Sequence, residues 1–125
     1  MTYIVPDPPR ILNKNPLVGA TPGGDVTLRC EVEAYPRPII VWYHEPVSNM
    51  SSSSYAPRGK TLIMSGERHE QEDVSESLQR TVSLLHIRGV SAAQAGKYHC
   101  QAENSLGTVH NLVRVYSKWR KLTPF

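Results

Sequence analysis

The chain has 125 residues, of which 39% are hydrophobic and 20% are charged, and its formal net charge is +3. This length suits one domain with its own core, and the composition excludes a disordered or fibrous protein. No apolar run approaches the ~20 residues of a membrane span, so we predict no membrane insertion by this chain. The excess of basic residues is too small to indicate nucleic acid as a partner.

The two cysteines, Cys30 and Cys100, lie 70 positions apart. This spacing excludes a Cys-x-x-Cys redox motif, and no histidines stand near either cysteine at zinc-finger spacing. Composition and spacing leave three states open, namely reduced core residues, a catalytic pair or one disulfide. A disulfide that closes so long a loop stabilises a fold by roughly 4–5 kcal/mol in the chain-entropy model.

The predicted elements begin after an N-terminal arm. Prolines at positions 6, 8 and 9 predict that residues 1–10 are extended and form no regular element. Over residues 25–34 apolar and polar side chains alternate, which predicts a strand with one solvated face. The β-branched and aromatic residues 39–44 predict a second strand.

Residues 45–80 have a different character, with a serine tract and an acidic run at 67–76. We predict a solvated, loop-rich insertion with one short strand at 61–64. Gly107 is expected to supply a positive φ in a hairpin turn that begins at Asn104. Strand character returns at residues 81–87, 97–103 and 108–116. Helical periodicity is not sustained anywhere in the sequence, which therefore predicts an all-β sandwich or barrel.

Four residues form a spaced signature. Cys30 lies on the inward phase of its strand, Trp42 follows in the next strand, and Tyr98 stands two residues before Cys100. This Cys…Trp…Tyr-x-Cys arrangement resembles the immunoglobulin fold, and the segments CQAENSLG and GKYHC resemble its intermediate, or I-set, type. The segments NPLVGA, EAYPRPIIVWY and AENSLGTV are similar to the third domain of lachesin, IgLON and Dpr-interacting-protein type neural cell-adhesion molecules.

The resemblance implies a Greek-key immunoglobulin sandwich with one inter-sheet disulfide between Cys30 and Cys100. It also implies that Trp42 packs against the disulfide, that Leu85 points into the core, and that the Tyr98 hydroxyl bonds the main chain at a corner. The corresponding boundaries are a linker from a preceding domain at 1–8, an immunoglobulin domain at 9–116 and a C-terminal tail at 117–125.

Two features depart from the family pattern. Gln94 stands where the family usually has an aspartate that pairs with an arginine, so this ion pair is not expected here. The insertion after His44 is also longer than the family leads us to expect, so family strand positions are not transferred to residues 45–80.

Strand phase predicts one outward face with an apolar centre and a polar rim. Because Trp42 points inward, its neighbours on the same strand point outward, and the two C-terminal strands contribute to the same face. The candidate interface consists of Val41, Tyr43, His99, Gln101, His110, Leu112 and Arg114. This composition is typical of protein–protein interfaces, with scattered exposed residues or cover by the insertion as the alternatives.

Other candidate sites have weaker signals. Asn49-Met50-Ser51 is an N-glycosylation sequon in a predicted loop. His99 and His110 would be diagonal neighbours, but we favour two exposed polar residues over a two-histidine metal site. Catalytic and phosphate-binding motifs are absent from the sequence, so we predict no enzyme activity, no metal and no cofactor. Arg114 and the basic tail suggest weak heparan sulfate contact, with a soluble stalk as the alternative.

The resemblance implies an extracellular adhesion or recognition module at the neuronal cell surface, with other immunoglobulin-domain proteins as homophilic or heterophilic partners. A third domain would act mainly as a membrane-proximal spacer, in a full-length protein that carries a lipid anchor. The alternatives are a ligand-binding module of a receptor and a structural I-set module of an intracellular, muscle-type protein.

Overall fold

The computed structural model describes residues 3–46 and 60–117, and these residues form nine strands and one short 3-10 turn, Ala92–Gln94. The strands are β1 Asp7–Ile11, β2 Leu17–Ala20, β3 Val26–Tyr35, β4 Ile39–Pro46, β5 Thr61–Leu62, β6 His69–Ser75, β7 Arg80–Ile87, β8 Gly96–Asn104 and β9 Gly107–Ser117. The back sheet has the order β1-β3-β7-β6 and the front sheet the order β2-β9-β8-β4-β5. The all-β immunoglobulin-like sandwich is therefore confirmed.

The core lies between the sheets and follows the predicted alternation. Along β3, Leu28, Cys30 and Val32 are fully buried, whereas Arg29 points to solvent. Leu85 on β7 is also fully buried in the same cluster. Period-two burial on both sheets is what a two-layer sandwich needs, because each sheet can bury only one face against the other.

The disulfide Cys30–Cys100 joins the two sheets, as predicted. Trp42 lies directly opposite Cys100 across the β4–β8 ladder and is fully buried. The indole Nε1 of Trp42 donates a hydrogen bond to Ser83 Oγ at 2.9 Å, and the Ser83 hydroxyl in turn donates to Asp73. A polar chain therefore runs from the centre of the core to the outer strand β6.

The corner before β8 is organised by Tyr98 and Gln94. The Tyr98 hydroxyl donates to the main-chain carbonyl of Gln94, and burial raises the pKa of this phenol. The side chain of Gln94 accepts a hydrogen bond from the Ser91 main-chain N–H at 2.8 Å, which caps the short turn. Arg68 donates to the Gly89 carbonyl at 3.1 Å in the same part of the fold.

Two expectations for the chain near Pro8 are wrong. Residues 7–11 form a strand, because β1 pairs with β3 through Asp7–Tyr35 and Arg10–Glu33. Gly107 does not have a positive φ, which among the described glycines occurs at Gly23, Gly89 and Gly96. A Cβ at Gly107 would lie 3.3 Å from Pro8 Cβ, so glycine is favoured there by the close approach of the first strand.

The acidic run is also not a loop. Residues 69–75 form β6, which pairs with β7 from His69–Ile87 to Ser75–Thr81. Gln71 Nε2 reaches across the sandwich to the Ile40 carbonyl at 2.8 Å. The strand lies at a sheet edge and is mostly exposed, so it carries charges where a central strand would carry apolar residues.

The chain enters and leaves the sandwich at opposite ends. Asp7 lies beside Tyr35, near the Ser105-Leu106 turn, and we call this the first end. Ser117 lies beside Ala20 at the second end. β9 alone has 11 residues, so the two ends are separated by about 35 Å.

Candidate protein interface

The outward side chains of β4, β8 and β9 form one continuous surface, which we call the front face. Pairing places Tyr43, His99 and Leu112 in one row across the three strands. Val41, Gln101 and His110 form the next row by the same pairing. Arg114 lies opposite Lys97 in the row on the other side. The structure therefore brings the seven candidate interface residues together.

Strand β5 extends the front face beyond the predicted set. Leu62 lies opposite Tyr43, so the row of Tyr43, His99 and Leu112 continues onto a fourth strand. Its side chain is partly exposed, and Ile39 on β4 is 74% exposed. The short strand predicted at 61–64 was the signal that could have added Leu62 to the front face. In a strand of two residues, however, the sequence does not show which side chain points outward unless the pairing partner is known.

The apolar residues at the centre of the front face are only partly exposed to solvent. Val41, Tyr43 and Leu112 are each half-buried among their neighbours on the face. Cross-strand neighbours cover one another in this way when aromatic and branched side chains share a face. The front face therefore offers a shallow apolar strip, flanked by the more exposed Ile39 and Leu62.

The two histidines of the front face have hydrogen-bond partners of their own. His99 Nε2 lies 2.9 Å from Glu45 Oε1, and the His99 side chain is only 14% exposed. This contact is the main reason that the pKa of Glu45 is lowered. His110 Nε2 lies 2.9 Å from Gln101 Oε1.

These contacts bear on the two-histidine metal site. His99 and His110 are diagonal neighbours, since His99 pairs with Leu112 and His110 with Gln101. The described residues contain no cluster of three or more histidine, cysteine, aspartate or glutamate side chains suited to a metal ion. The arrangement is one of two polar pairs on a sheet surface.

The second end of the front face is basic. Lys97 and Arg114 are exposed and directly opposite each other on β8 and β9. Lys60 precedes β5 on the other side of Glu45 and contributes, with Lys97, to the lowered pKa of that carboxyl. Asn49 and the basic tail residues lie outside the described residues.

The family profile described as Immunoglobulin domain matches residues 8–104. The chain belongs to the immunoglobulin domain family. A solved structure, the complex of Dpr2 Ig1-Ig2 with DIP-Theta Ig1-Ig3, is similar with a TM-score of 0.73 and 34% identity, over 91% of this chain and 34% of that one.

Curated relatives include protein amalgam of Drosophila melanogaster, 28% identical over 79% of this chain and 26% of the relative. Limbic system-associated membrane protein of Gallus gallus is 29% identical over 84% and 23%, and lachesin of Schistocerca americana is 26% identical over 87% and 27%. The chain thus spans about a quarter of each of these relatives.

These relatives confirm the resemblance to the lachesin and IgLON group. They identify the chain as an immunoglobulin domain with cell-adhesion homologues at the cell surface. Within residues 3–46 and 60–117, no helix is long and apolar enough to span a membrane.

Proposed function

We propose that this domain is an extracellular spacer in a neuronal cell-surface adhesion protein, where it holds the segments before and after it about 35 Å apart. The observation that carries the proposal is the course of the chain, which enters at Asp7 and leaves at Ser117, at opposite ends of the sandwich. A domain with this course adds its whole length to a tandem array.

The entry point supports a spacer because it is fixed to the domain. The side-chain amide of Asn104 donates to the Asp7 carbonyl at 2.9 Å and to the Pro36 carbonyl at 3.1 Å. Pro8 packs against Gly107, and prolines at 6, 8 and 9 restrict the backbone of the arm. A preceding domain joined here would have little freedom to swing.

The first end also carries exposed apolar side chains that suit contact with a neighbouring domain. Tyr3 and Val5 on the arm, Ile39 at the start of β4 and Leu106 in the adjoining turn are all exposed. Exposed apolar side chains at one end of a domain are typical of interaction sites in soluble proteins. The domain would then be one rigid element of a longer ectodomain, anchored to the membrane by lipid in the full-length protein.

The second candidate function is direct binding of another immunoglobulin-domain protein through the front face. The row of Leu62, Tyr43, His99 and Leu112, which is apolar except for His99, favours it. The similar Dpr2–DIP-Theta structure is itself a complex between immunoglobulin-domain proteins. Such contacts, homophilic or heterophilic, would be additional to the spacing role.

Domain replacement in the full-length protein tests the spacing role. The domain is deleted, or replaced by an unrelated immunoglobulin domain of equal length, and cell aggregation is measured. We expect deletion to reduce aggregation and replacement to restore it, because only length and end-to-end course matter for a spacer. Failure of the replacement, together with loss of aggregation in Tyr43→Ala/Leu112→Arg, would overturn the spacer in favour of the binding module.

A thiol assay distinguishes an extracellular adhesion domain from an intracellular, muscle-type structural module. The disulfide Cys30–Cys100 implies an oxidising compartment. We expect the native protein from its own tissue to show no reactive thiol until it is unfolded and reduced. Two thiols that react after unfolding without reductant would favour the intracellular module.

A further inference from the structure

The charges on the two outer faces of the sandwich are arranged differently. On the back sheet Arg10 pairs with Glu33, Arg29 and Arg80 share Glu31, and Arg88, directly after β7, pairs with Glu70. Glu76 adds a second contact to Arg80 at 3.1 Å. These four arginines of the back face are therefore neutralised by neighbouring carboxylates.

The second end of the front face lacks such pairing. Among the described residues, Lys60, Lys97 and Arg114 have no carboxylate within ion-pair distance. Lys97 and Arg114 are directly opposite on neighbouring strands, a position in which like charges repel. The nearest acid in the row is Glu45, and it is already bonded to His99.

Pairing places these groups in one line across the sheet. His44 pairs with Thr61, so the next residues along the two strands, Glu45 and Lys60, lie beside each other. Glu45 pairs with Lys97 on its other side, and Lys97 pairs with Arg114. Three strand spacings make this line about 14 Å long. The next basic residues of the sequence, Lys118, Arg120 and Lys121, follow β9 within a few positions.

A line of unpaired cations suits a linear anion. We propose that Lys60, Lys97 and Arg114 form a binding site for a sulfated glycosaminoglycan chain that runs across the strands of the front sheet. Sulfate groups relieve the repulsion between Lys97 and Arg114 by charge-assisted hydrogen bonds to both. Glu45 weakens the site at its middle but leaves its two flanks positive.

A sulfated polysaccharide fits better than an anionic membrane surface. The cations project from the side of the sandwich, whereas the chain enters and leaves at the two ends. Side chains of a strand stand roughly perpendicular to the sheet, so even in a membrane-proximal spacer these cations face sideways into the extracellular matrix and not along the domain axis toward lipid headgroups. In this respect the inference rests on the proposed function.

Binding of heparin oligosaccharides at about 0.15 M salt, measured by calorimetry on the 125-residue chain, tests the site. Lys97→Ala/Arg114→Ala should weaken binding about tenfold. The matched control Lys14→Ala/Arg37→Ala removes two exposed cations elsewhere and should change the affinity less than about twofold. Both lysines and both arginines are exposed, so neither pair of changes should prevent folding.

Glu45→Gln tests the same line in the opposite direction. The amide keeps a hydrogen-bond acceptor for His99 but removes the negative charge beside Lys60 and Lys97, so heparin binding should tighten severalfold. Glu67→Gln makes the same change of charge at an exposed residue outside this line and should have little effect.

Four results would overturn the proposal: no heparin binding by the unaltered chain at this salt concentration, equal weakening in the two alanine pairs, undiminished binding of desulfated heparin, or equal affinity for phosphatidylserine vesicles with the same dependence on Lys97 and Arg114. The last result would assign the site to lipid. Domain replacement measures length alone, so these failures are distinguishable from failure of the spacer.

Discussion

Asn104 fastens the first strand to the rest of the domain through the main-chain carbonyl of Asp7. Its amide nitrogen donates to this carbonyl and also to that of Pro36, while its side-chain oxygen accepts the Leu106 N–H at 2.9 Å. One side chain thus joins the arm, the β3–β4 connection and the β8–β9 turn. These three segments make up the first end, where we place a preceding domain.

Asn104→Ala should loosen the first end without unfolding the domain. It removes three hydrogen bonds at a partly exposed position, so we expect a loss of about 1–2 kcal/mol in the free energy of unfolding. Amide exchange in β1 should become faster, and exchange in β8 should not. Ser105→Ala in the same turn is the control, and equal effects from both variants would contradict the role of Asn104.

The polar chain at the centre of the sandwich gives a second prediction. Ser83 is fully buried, and its hydroxyl accepts from Trp42 Nε1 while donating to Asp73. Ser83→Ala leaves the indole N–H buried without an acceptor, which costs about 1–3 kcal/mol of the free energy of unfolding. Chemical denaturation measures this loss.

Ser75→Ala is the matched control on the neighbouring strand, because it removes an exposed hydroxyl that bonds the Ser77 carbonyl. We expect a change below about 0.5 kcal/mol for this variant. If Ser83→Ala were equally mild, a water or a rearranged indole would have to replace the serine, and the buried chain would have no role in stability.

The sequence predicted those parts of the fold in which apolar residues alternate along a strand, or in which residues stand at the spacing of the Cys…Trp…Tyr-x-Cys signature. Cys30, Trp42 and Cys100 are recognisable because each lies mid-strand on an inward phase, and the disulfide follows from the family likeness. The front face followed from the same phase argument. The rows of this face follow once β4, β8 and β9 are paired, and the apolar residues of these strands indicate the register.

The parts that could not be predicted are held by polar contacts. β6 has no buried apolar phase, since Gln71 contacts the sheet opposite by a hydrogen bond and Asp73 accepts from Ser83. Asn111 occupies an inward position where apolar residues are expected. It bonds the main chain of Asn13 and Asn15, each at 2.9 Å. Such partners lie far apart in sequence, and no periodicity indicates them.

Acid should destabilise the domain through two histidines near its second end. His44 stacks on Tyr98 with ring centroids 4.4 Å apart and bonds the Ala95 carbonyl at 3.0 Å. Burial lowers the pKa of His44, although the Ala95 carbonyl opposes this effect. Burial is also the main cause that lowers the pKa of His69, and the nearby charges of His44 and Arg68 lower it further. His69 Nε2 has no hydrogen-bond partner in the described part of the chain.

The direction of this pH effect follows from proton uptake. Below about pH 6.5 the unfolded chain binds protons at these histidines while the native state resists them. The free energy of unfolding therefore decreases as the pH is lowered. Above that pH they add no slope. We expect a loss of up to about 1 kcal/mol per histidine between pH 7.5 and 5.5, measured by denaturation at constant ionic strength.

His44→Phe/His69→Phe tests the assignment, because phenylalanine keeps the stack on Tyr98 and cannot titrate. The double variant should lose less than half as much stability over the same pH interval. Ser105→Ala, in an exposed turn, should keep the slope of the unaltered chain. An unchanged slope in the double variant would mean that other groups cause the acid sensitivity.

The front face gives the last prediction, on association. If it binds a second immunoglobulin domain, Tyr43→Ala and Leu112→Arg should each lower the weight-average mass in sedimentation equilibrium, because both residues lie in the central row with His99. Val74→Arg introduces the same charge at a partly exposed apolar residue of β6 on the back sheet and should leave association unchanged. If neither front-face variant alters the mass over the whole concentration range, the face has no part in self-association. An equal loss in Val74→Arg would instead show that added positive charge alone disperses the protein.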